Sequence, residues 1–126
     1  MKIKYSSNGE LSVEGAQIEM ELLSDKIDNF ITSEKESICI ELEMDYDPSP
    51  YERVLNKLIF SRAIESNVHV TDNTLTFSGQ NEFFESISSN LPYGVDETPY
   101  HIHYDSISFP QYLKPEAPEI VFEATH

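Results

Sequence analysis

Positive charge is the component that this sequence has least of. Lys and Arg together number 8, against 23 Asp and Glu in 126 residues, so the formal net charge is −15. Phosphate backbones and anionic lipid surfaces would repel such a chain, which argues against direct binding to nucleic acid or to a membrane. The acidity itself has two interpretations that composition does not separate. It keeps an ordinary protein soluble, or it steers a basic partner towards the chain.

Cysteine, tryptophan and long apolar runs are also scarce or absent. The single cysteine, Cys39, cannot form an internal disulfide, which favours a reducing compartment. Residues 1–5 contain no apolar run of the length that a signal peptide or a membrane span needs, so we expect a cytoplasmic protein. The 7 Phe, the 7 Tyr and a hydrophobic content of 39% argue against disorder and for a core of its own.

Two β-hairpins are predicted, one near the start of each half of the chain. Asn8-Gly9 is a strong signal for a two-residue turn of type I′, whose central residues both need positive φ. Asp72-Asn73 occupies the corresponding place in the second half. Alternating apolar residues on both sides of each turn predict four strands, over residues 2–6, 10–14, 67–71 and 74–79.

The segment after each turn is repeated. Residues 11–15, Leu-Ser-Val-Glu-Gly, match residues 75–79, Leu-Thr-Phe-Ser-Gly, and a helix and two strands follow in both halves. Further along the chain, a shift of 62 positions places Ile40 on Ile102. We therefore predict a single domain, 1–126, made of two pseudo-repeats, 1–63 and 64–126.

The remaining elements follow from hydrophobic spacing. Helical spacing predicts helices over 16–32 and 80–91, and alternation predicts strands over 38–45, 100–105 and 118–124, with 51–62 open between helix and strand. The apolar stripe of the first helix comprises Ile18, Leu22, Leu23, Ile27, Phe30 and Ile31. The fold class is therefore α+β, an internally duplicated strand-strand-helix-strand-strand unit. We expect about eight strands in a mostly antiparallel sheet, with two helices on one face.

Reaction chemistry is weakly indicated. His101 and His103 lie two apart on a strand and so share a face; with Asp105, and with His69 if it joins them, they could bind zinc. A half-exposed strand explains the same residues without a metal, and no closed ligand set or Cys–His spacing is present. No Gly-rich phosphate loop, nucleophile elbow or Ser–His–Asp arrangement can be identified. We expect no enzymatic activity, no cofactor and no metal site.

The open face of the predicted sheet is the best candidate for a binding site. Carboxylates and aromatic residues there and in adjacent loops have the composition of a protein-binding surface, with aromatic anchors ringed by charge. An acidic ridge on the first helix, Glu21, Asp25 and Asp28, gives a weak hint of a binding role and is better explained by a solvated face. The open face could also pair with another subunit or simply face water. The candidate partner-binding residues are Glu41, Glu43, Asp45, Tyr46, Asp47, Tyr93, Asp96, Glu97, His101, His103 and Asp105.

The second half carries a series of short motifs in order. Leu75-x-Phe77-x-Gly79 precedes an apolar helix, which is followed by Tyr100-His101-Ile102-His103-Tyr104 and by Pro115-Glu116-Ala117-Pro118-Glu119-Ile120-Val121-Phe122. In these residues the chain resembles small immunity proteins of bacterial polymorphic toxin systems, above all the type catalogued as immunity protein thirty-two. The first half matches only through the internal repeat, and it departs at Ile38-Cys39-Ile40-Glu41, which lacks the histidine pair.

This resemblance implies a cytosolic, non-enzymatic antidote that binds and neutralises a cognate protein toxin. Independently, the acidic composition suits fast association with a basic toxin, a nuclease being one candidate. A duplicated chain already has pseudo-twofold symmetry, which favours a monomer over a homodimer. Two alternatives stay open: an acidic DNA mimic that inhibits a nucleic-acid enzyme, and a small metal-binding protein that uses His101 and His103.

Overall fold

Nine strands and two helices make up the chain in the computed structural model, which describes all residues, 1–126. The elements are β1 (Lys2–Ser6), β2 (Glu10–Gly15), α1 (Gln17–Ile31), β3 (Ser37–Glu41), β4 (Arg53–Leu55), β5 (Lys57–Arg62), β6 (Asn67–Thr71), β7 (Thr74–Gly79), α2 (Asn81–Ser89), β8 (Tyr100–Tyr104) and β9 (Glu119–Ala124). The predicted α+β class is confirmed. The ninth strand is β4, which with β5 accounts for the segment that the sequence left open between helix and strand.

The strands form two sheets, with the orders β4-β1-β2-β9-β8 and β3-β5-β7-β6. Each sheet joins the hairpin of one half of the chain to two later strands of the other half, β8 and β9 in one sheet and β3 and β5 in the other. The short strand β4 lies between β3 and β5 in the chain but joins the sheet of the first hairpin, beside β1. The two joins, β2 to β9 and β5 to β7, are parallel, and every other pairing is antiparallel. The two halves are therefore intertwined, since neither half builds a sheet alone.

Strand registers show which positions of the two halves correspond. Ile38 pairs with Phe60 in one sheet and Ile102 pairs with Phe122 in the other. Ile38, not Ile40, therefore corresponds to Ile102, and the sequence-based alignment of these two strands was wrong by two residues. The shift is 64 positions here and 62 in the strands that follow, because the connection between them is two residues shorter in the second half.

The first hairpin turn differs from its predicted type. Ser6 pairs with Glu10, so the loop has three residues instead of two, and only Gly9 has positive φ, at 95°. Three-residue hairpins of this kind close with a residue in the left-handed region, which glycine adopts without strain. The second turn has the predicted two residues, but only Asp72 has positive φ, at 54°.

The two helices cross at a pair of small residues. Ser24 Oγ of α1 lies 2.6 Å from Ser88 Oγ of α2, and Ser88 also donates a hydrogen bond to Asp28 Oδ1 at 2.9 Å. The two serines are separated by the same 64 positions that relate β2 to β7, so the crossing lies on the approximate twofold axis between the halves. Asp28, predicted as part of a solvated ridge, helps to hold the helices together.

One core of 21 buried residues connects both sheets and both helices. Its centre is aromatic: Phe60 of β5 stacks on Phe77 of β7 at 5.3 Å, and Phe84 of α2 lies 5.4 Å from Phe30 of α1. Ile18 and Leu22 were predicted in the buried stripe of α1 but are 61% and 52% exposed. The buried face of α1 is turned away from Ile18 and Leu22, because α2 packs on the side of α1 that carries Ser24.

Candidate functional site: the acidic surface and a groove beside an edge strand

The predicted binding residues lie on two different sheets. Glu41 ends β3, the outermost strand of one sheet, whereas His101 and His103 are on β8, the outermost strand of the other. The structure therefore does not bring them onto the open face of one sheet, as the sequence suggested. Most of the predicted residues are exposed: Glu41, Glu43, Asp45, Asp47, Tyr93, Asp96, Glu97, His101 and His103; Tyr46 and Asp105 are half-buried.

Two of the predicted residues hold the connection between β3 and β4 in place. The Tyr46 hydroxyl donates to the Ile3 carbonyl at 2.9 Å, and the Lys2 ammonium lies 5.0 Å from the Tyr46 ring centroid. Burial raises the pKa of Tyr46 to about 12. Asp47 Oδ1 accepts the Ser49 N–H at 2.9 Å, and that hydrogen bond lowers the pKa of Asp47.

Two others have similar structural contacts in the second half. Asp105 accepts the Ser108 N–H at 2.8 Å, which fixes the turn after β8. The Tyr93 hydroxyl lies 3.3 Å from Ser24 Oγ, at the helix crossing. Asp45, Asp96 and Glu97 have no such contact, so their carboxylates are available to a partner.

The two histidines of β8 lie side by side without a third ligand-type side chain grouped with them. The His101 and His103 rings lie edge to face, 5.2 Å apart, on the exposed side of β8. His69 lies on β6, in the other sheet, and so does not join them. No group of three or more His, Cys, Asp or Glu side chains in the chain is placed to hold a metal ion.

The sequence did not reveal a groove that separates α1 from the edge strand β3. It consists of two adjoining recesses of about 230 and 240 Å³, which share Lys26 and Ile40. We call it the α1–β3 groove. Its lining residues are Met1, Glu19, Leu22, Leu23, Lys26, Asn29, Phe30, Ser33, Lys35, Ile38, Cys39, Ile40, Glu41, Leu42 and Glu43.

The two ends of the groove differ in charge. Glu41 and Glu43 lie at one end, and Lys35 lies at the other. The Glu19 carboxylate already has partners within the chain: it accepts hydrogen bonds from the α-amino group of Met1 at 2.6 Å and from the Ala16 N–H at 2.9 Å. The bond to the amino group is the main reason why the pKa of Glu19 is lowered. Glu41 makes no ion pair, so it presents a free negative charge to any segment that enters.

The wall formed by β3 also offers unpaired backbone groups. The Leu42 N–H donates to the Asn56 carbonyl at 2.9 Å, which continues the β3–β5 ladder beyond the strand. Along an antiparallel strand, the backbone N–H and C=O groups of successive residues point alternately towards and away from the partner strand. The backbone groups of Ile40 therefore also point towards β5, whereas those of Cys39 and Glu41 point away from it. Such an edge can hydrogen-bond to the main chain of a bound segment.

Arg62 fixes the far end of the groove. Its guanidinium donates to the carbonyls of Phe30, Ser33 and Lys35 at 2.7, 3.1 and 2.8 Å, and to Asn81 Oδ1 at 2.6 Å. The last turn of α1 has no basic residue of its own. The Arg62 guanidinium therefore supplies the hydrogen bonds that the last carbonyls of α1 need and a positive charge at the negative end of the helix dipole. Arg62 therefore positions the segment that carries α1 into β3.

Comparisons of the chain with protein-family models, with curated proteins and with solved structures found no match in any of the three. Neither helix is long and apolar enough to cross a membrane.

Proposed function

We propose that this protein is an immunity protein, a non-enzymatic inhibitor that binds a cognate basic toxin in the cytoplasm and neutralises it. One observation carries the proposal: the negative charge is almost entirely unpaired. Of the 23 carboxylate side chains only Glu14, Glu19 and Glu43 lie within 4 Å of a cationic nitrogen. The resemblance of the second half to such proteins and the exposed carboxylates beside the groove are in accord with it.

Unpaired charge of one sign has a specific consequence for association. Like charges on a folded chain repel one another, and a cationic partner relieves that repulsion while its approach is accelerated. Rates of association steered in this way reach about 10⁸–10⁹ M⁻¹s⁻¹ at low salt and fall steeply as ionic strength rises. Speed matters for an antidote, because it must reach the toxin before the toxin reaches its target.

The proposal is tested by capturing the partner and measuring its association. The tagged chain, incubated with lysate of its native cells at about 0.1 M salt, where the Debye length is about 10 Å, should retain one basic protein in equimolar amount. We expect the double variant Glu41→Lys/Glu43→Lys to associate with that protein at least tenfold more slowly. The control is Glu82→Lys/Glu85→Lys, an equal charge change on exposed residues of α2, which should slow association less.

Two outcomes would overturn the proposal. If no protein is retained above the background of an unrelated acidic protein, the charge serves solubility. If the retained protein is a nucleic-acid enzyme of general metabolism and harms no cell, the chain is a DNA mimic instead.

A further inference from the structure

The α1–β3 groove has a counterpart in the second half of the chain. The shift of 64 positions places Glu19 on Phe83, Leu22 on Ser86 and Ile40 on Tyr104. These three second-half residues do not line an open groove. Tyr104 is fully buried, and its hydroxyl lies 2.8 Å from Ser86 Oγ.

The counterpart is closed by the chain itself. In the connection between β8 and β9, Phe109 stacks on Tyr104 with ring centroids 4.0 Å apart, and Tyr112 packs on Phe83 at 5.5 Å. Leu113, next to Tyr112, is only 3% exposed. Two aromatic residues three positions apart thus cover the second-half surface.

The corresponding connection of the first half runs elsewhere. After Leu42 it crosses to β1, where Tyr46 bonds to Ile3 and β4 adds a further strand to the other sheet. It therefore leaves the α1–β3 groove uncovered. Leu22, which lines the groove, remains 52% exposed.

We propose that the α1–β3 groove binds a segment of a partner protein that supplies what the first half lacks: two aromatic residues three positions apart, flanked by Lys or Arg. The first aromatic ring lies on Ile40 beside Leu22, as Phe109 lies on Tyr104. The second ring lies towards Glu19, the counterpart of the Phe83 on which Tyr112 packs. The cations lie against Glu41 and Glu43. The outward N–H and C=O groups of β3 hydrogen-bond to the main chain of the segment.

Two features favour this occupant over a purely acidic or purely aliphatic one. The chain already uses aromatic rings on the symmetry-related surface, and rings supply large contact area at low entropic cost. The carboxylate end of the groove repels an anionic segment. The inference rests on the proposed function only in identifying the partner as the toxin; the binding chemistry follows from the groove itself.

The test uses a synthetic peptide in place of the unidentified partner. It carries the order of residues 108–113, Ser-Phe-Pro-Gln-Tyr-Leu, with two lysines added at each end; a second peptide has serine in place of both aromatic residues. Titration is followed by backbone amide shifts of the ¹⁵N-labelled chain. We expect saturable shifts confined to residues 19–26 and 38–43 with the first peptide, and none with the second.

A matched pair of variants locates the site. Leu22→Asp places a carboxylate in the apolar recess at an exposed position, so the fold should persist, and the peptide should bind at least tenfold more weakly, a loss of about 1.4 kcal/mol. Ile64→Asp makes the same change at an isoleucine that is 86% exposed in the turn between β5 and β6, and it should bind the peptide as the parent does.

The outcomes separate this inference from the proposed function. Absence of shifts, shifts elsewhere, or equal binding by the Leu22→Asp chain would overturn the inference even if a toxin is captured. Shifts that depend on protein concentration without peptide would mean that a second copy fills the groove, which overturns the commitment to a different partner. Peptide binding in the groove without any toxin would uphold the inference and refute the proposed function.

Discussion

Arg62 provides the sharpest test of how the fold supports the α1–β3 groove. Arg62→Ala removes five hydrogen bonds, one to the Asn81 amide oxygen and four to the backbone carbonyls of Phe30, Ile31, Ser33 and Lys35. It also removes a cation that lies 4.5 Å from the centroid of the Phe30 ring. The last turn of α1 then has no basic residue of its own to satisfy its carbonyls.

The expected cost is a moderate fraction of total stability. A hydrogen bond to a charged donor contributes about 1.5–3 kcal/mol, but the half-buried carbonyls of this helix end regain water when the guanidinium is lost. A cation at a helix C-terminus contributes up to about 2 kcal/mol, and the two effects overlap because the same atoms produce both. We therefore expect Arg62→Ala to lower the free energy of unfolding by about 3 kcal/mol.

Urea denaturation followed by circular dichroism measures this loss, with two comparison variants. Arg62→Lys keeps the charge but not the planar fork of donors, so it should lose about half as much stability. Arg53→Ala removes an exposed arginine 5.2 Å from the Tyr5 ring, and it should cost less than about 1 kcal/mol. If Arg62→Ala costs no more than Arg53→Ala, the guanidinium does not hold the helix end, and our account of the groove's far wall is wrong.

Three further predictions concern the helix crossing, the tyrosines and the groove. Ser88→Leu inserts a bulky side chain where the helices cross and should lower the free energy of unfolding, measured by urea denaturation, by at least about 2 kcal/mol. Ser89→Leu, at the exposed neighbour, should change that free energy by less than about 0.5 kcal/mol. Equal losses in the two variants would mean that the helices do not cross at Ser88. Burial raises the pKa of Tyr46 and of Tyr104 to about 12, from an ordinary 10.0, and the neutral form is the one that fits the fold. The stability that they contribute is complete below pH 10 and is lost as pH rises through 12, so absorbance at 295 nm should show two tyrosines ionising near pH 12, together with unfolding. Ionisation of Tyr46 and Tyr104 near pH 10 would contradict this. Cys39 is exposed on β3, the strand that borders the groove, and should react with a thiol reagent in the native chain. The aromatic peptide, paired along the edge of β3, should slow that reaction at least fivefold, and an unchanged rate would place the peptide elsewhere.

Local patterns predicted the elements well because hairpin turns and helical spacing are encoded by neighbouring residues. Alternation between the two faces of a strand does not say which distant strand will pair with it. The parallel joins of β2 to β9 and of β5 to β7 therefore could not be foreseen, although they decide that there are two sheets. For the same reason His101 and Glu41 were expected on one face and lie on different sheets.

The candidate site was harder to predict than the fold. The apolar stripe of α1 is wider than the face that it buries, and only the position of α2 determines that Leu22 is left at the surface. The groove exists because the connection after Leu42 crosses to β1 instead of covering it, which depends on contacts such as Tyr46 to Ile3. Arg62 gave no sequence signal, since its acceptors are the backbone carbonyls of a helix about thirty residues earlier.

Growth rescue measures the central claim most directly. The basic protein captured by the chain is expressed in cells alone, with the chain, and with its Glu41→Lys/Glu43→Lys variant. We expect the captured protein alone to stop growth, the chain to restore it, and the variant to restore it only at higher expression. If the captured protein is harmless, or if the chain binds it without restoring growth, the protein is not an immunity protein.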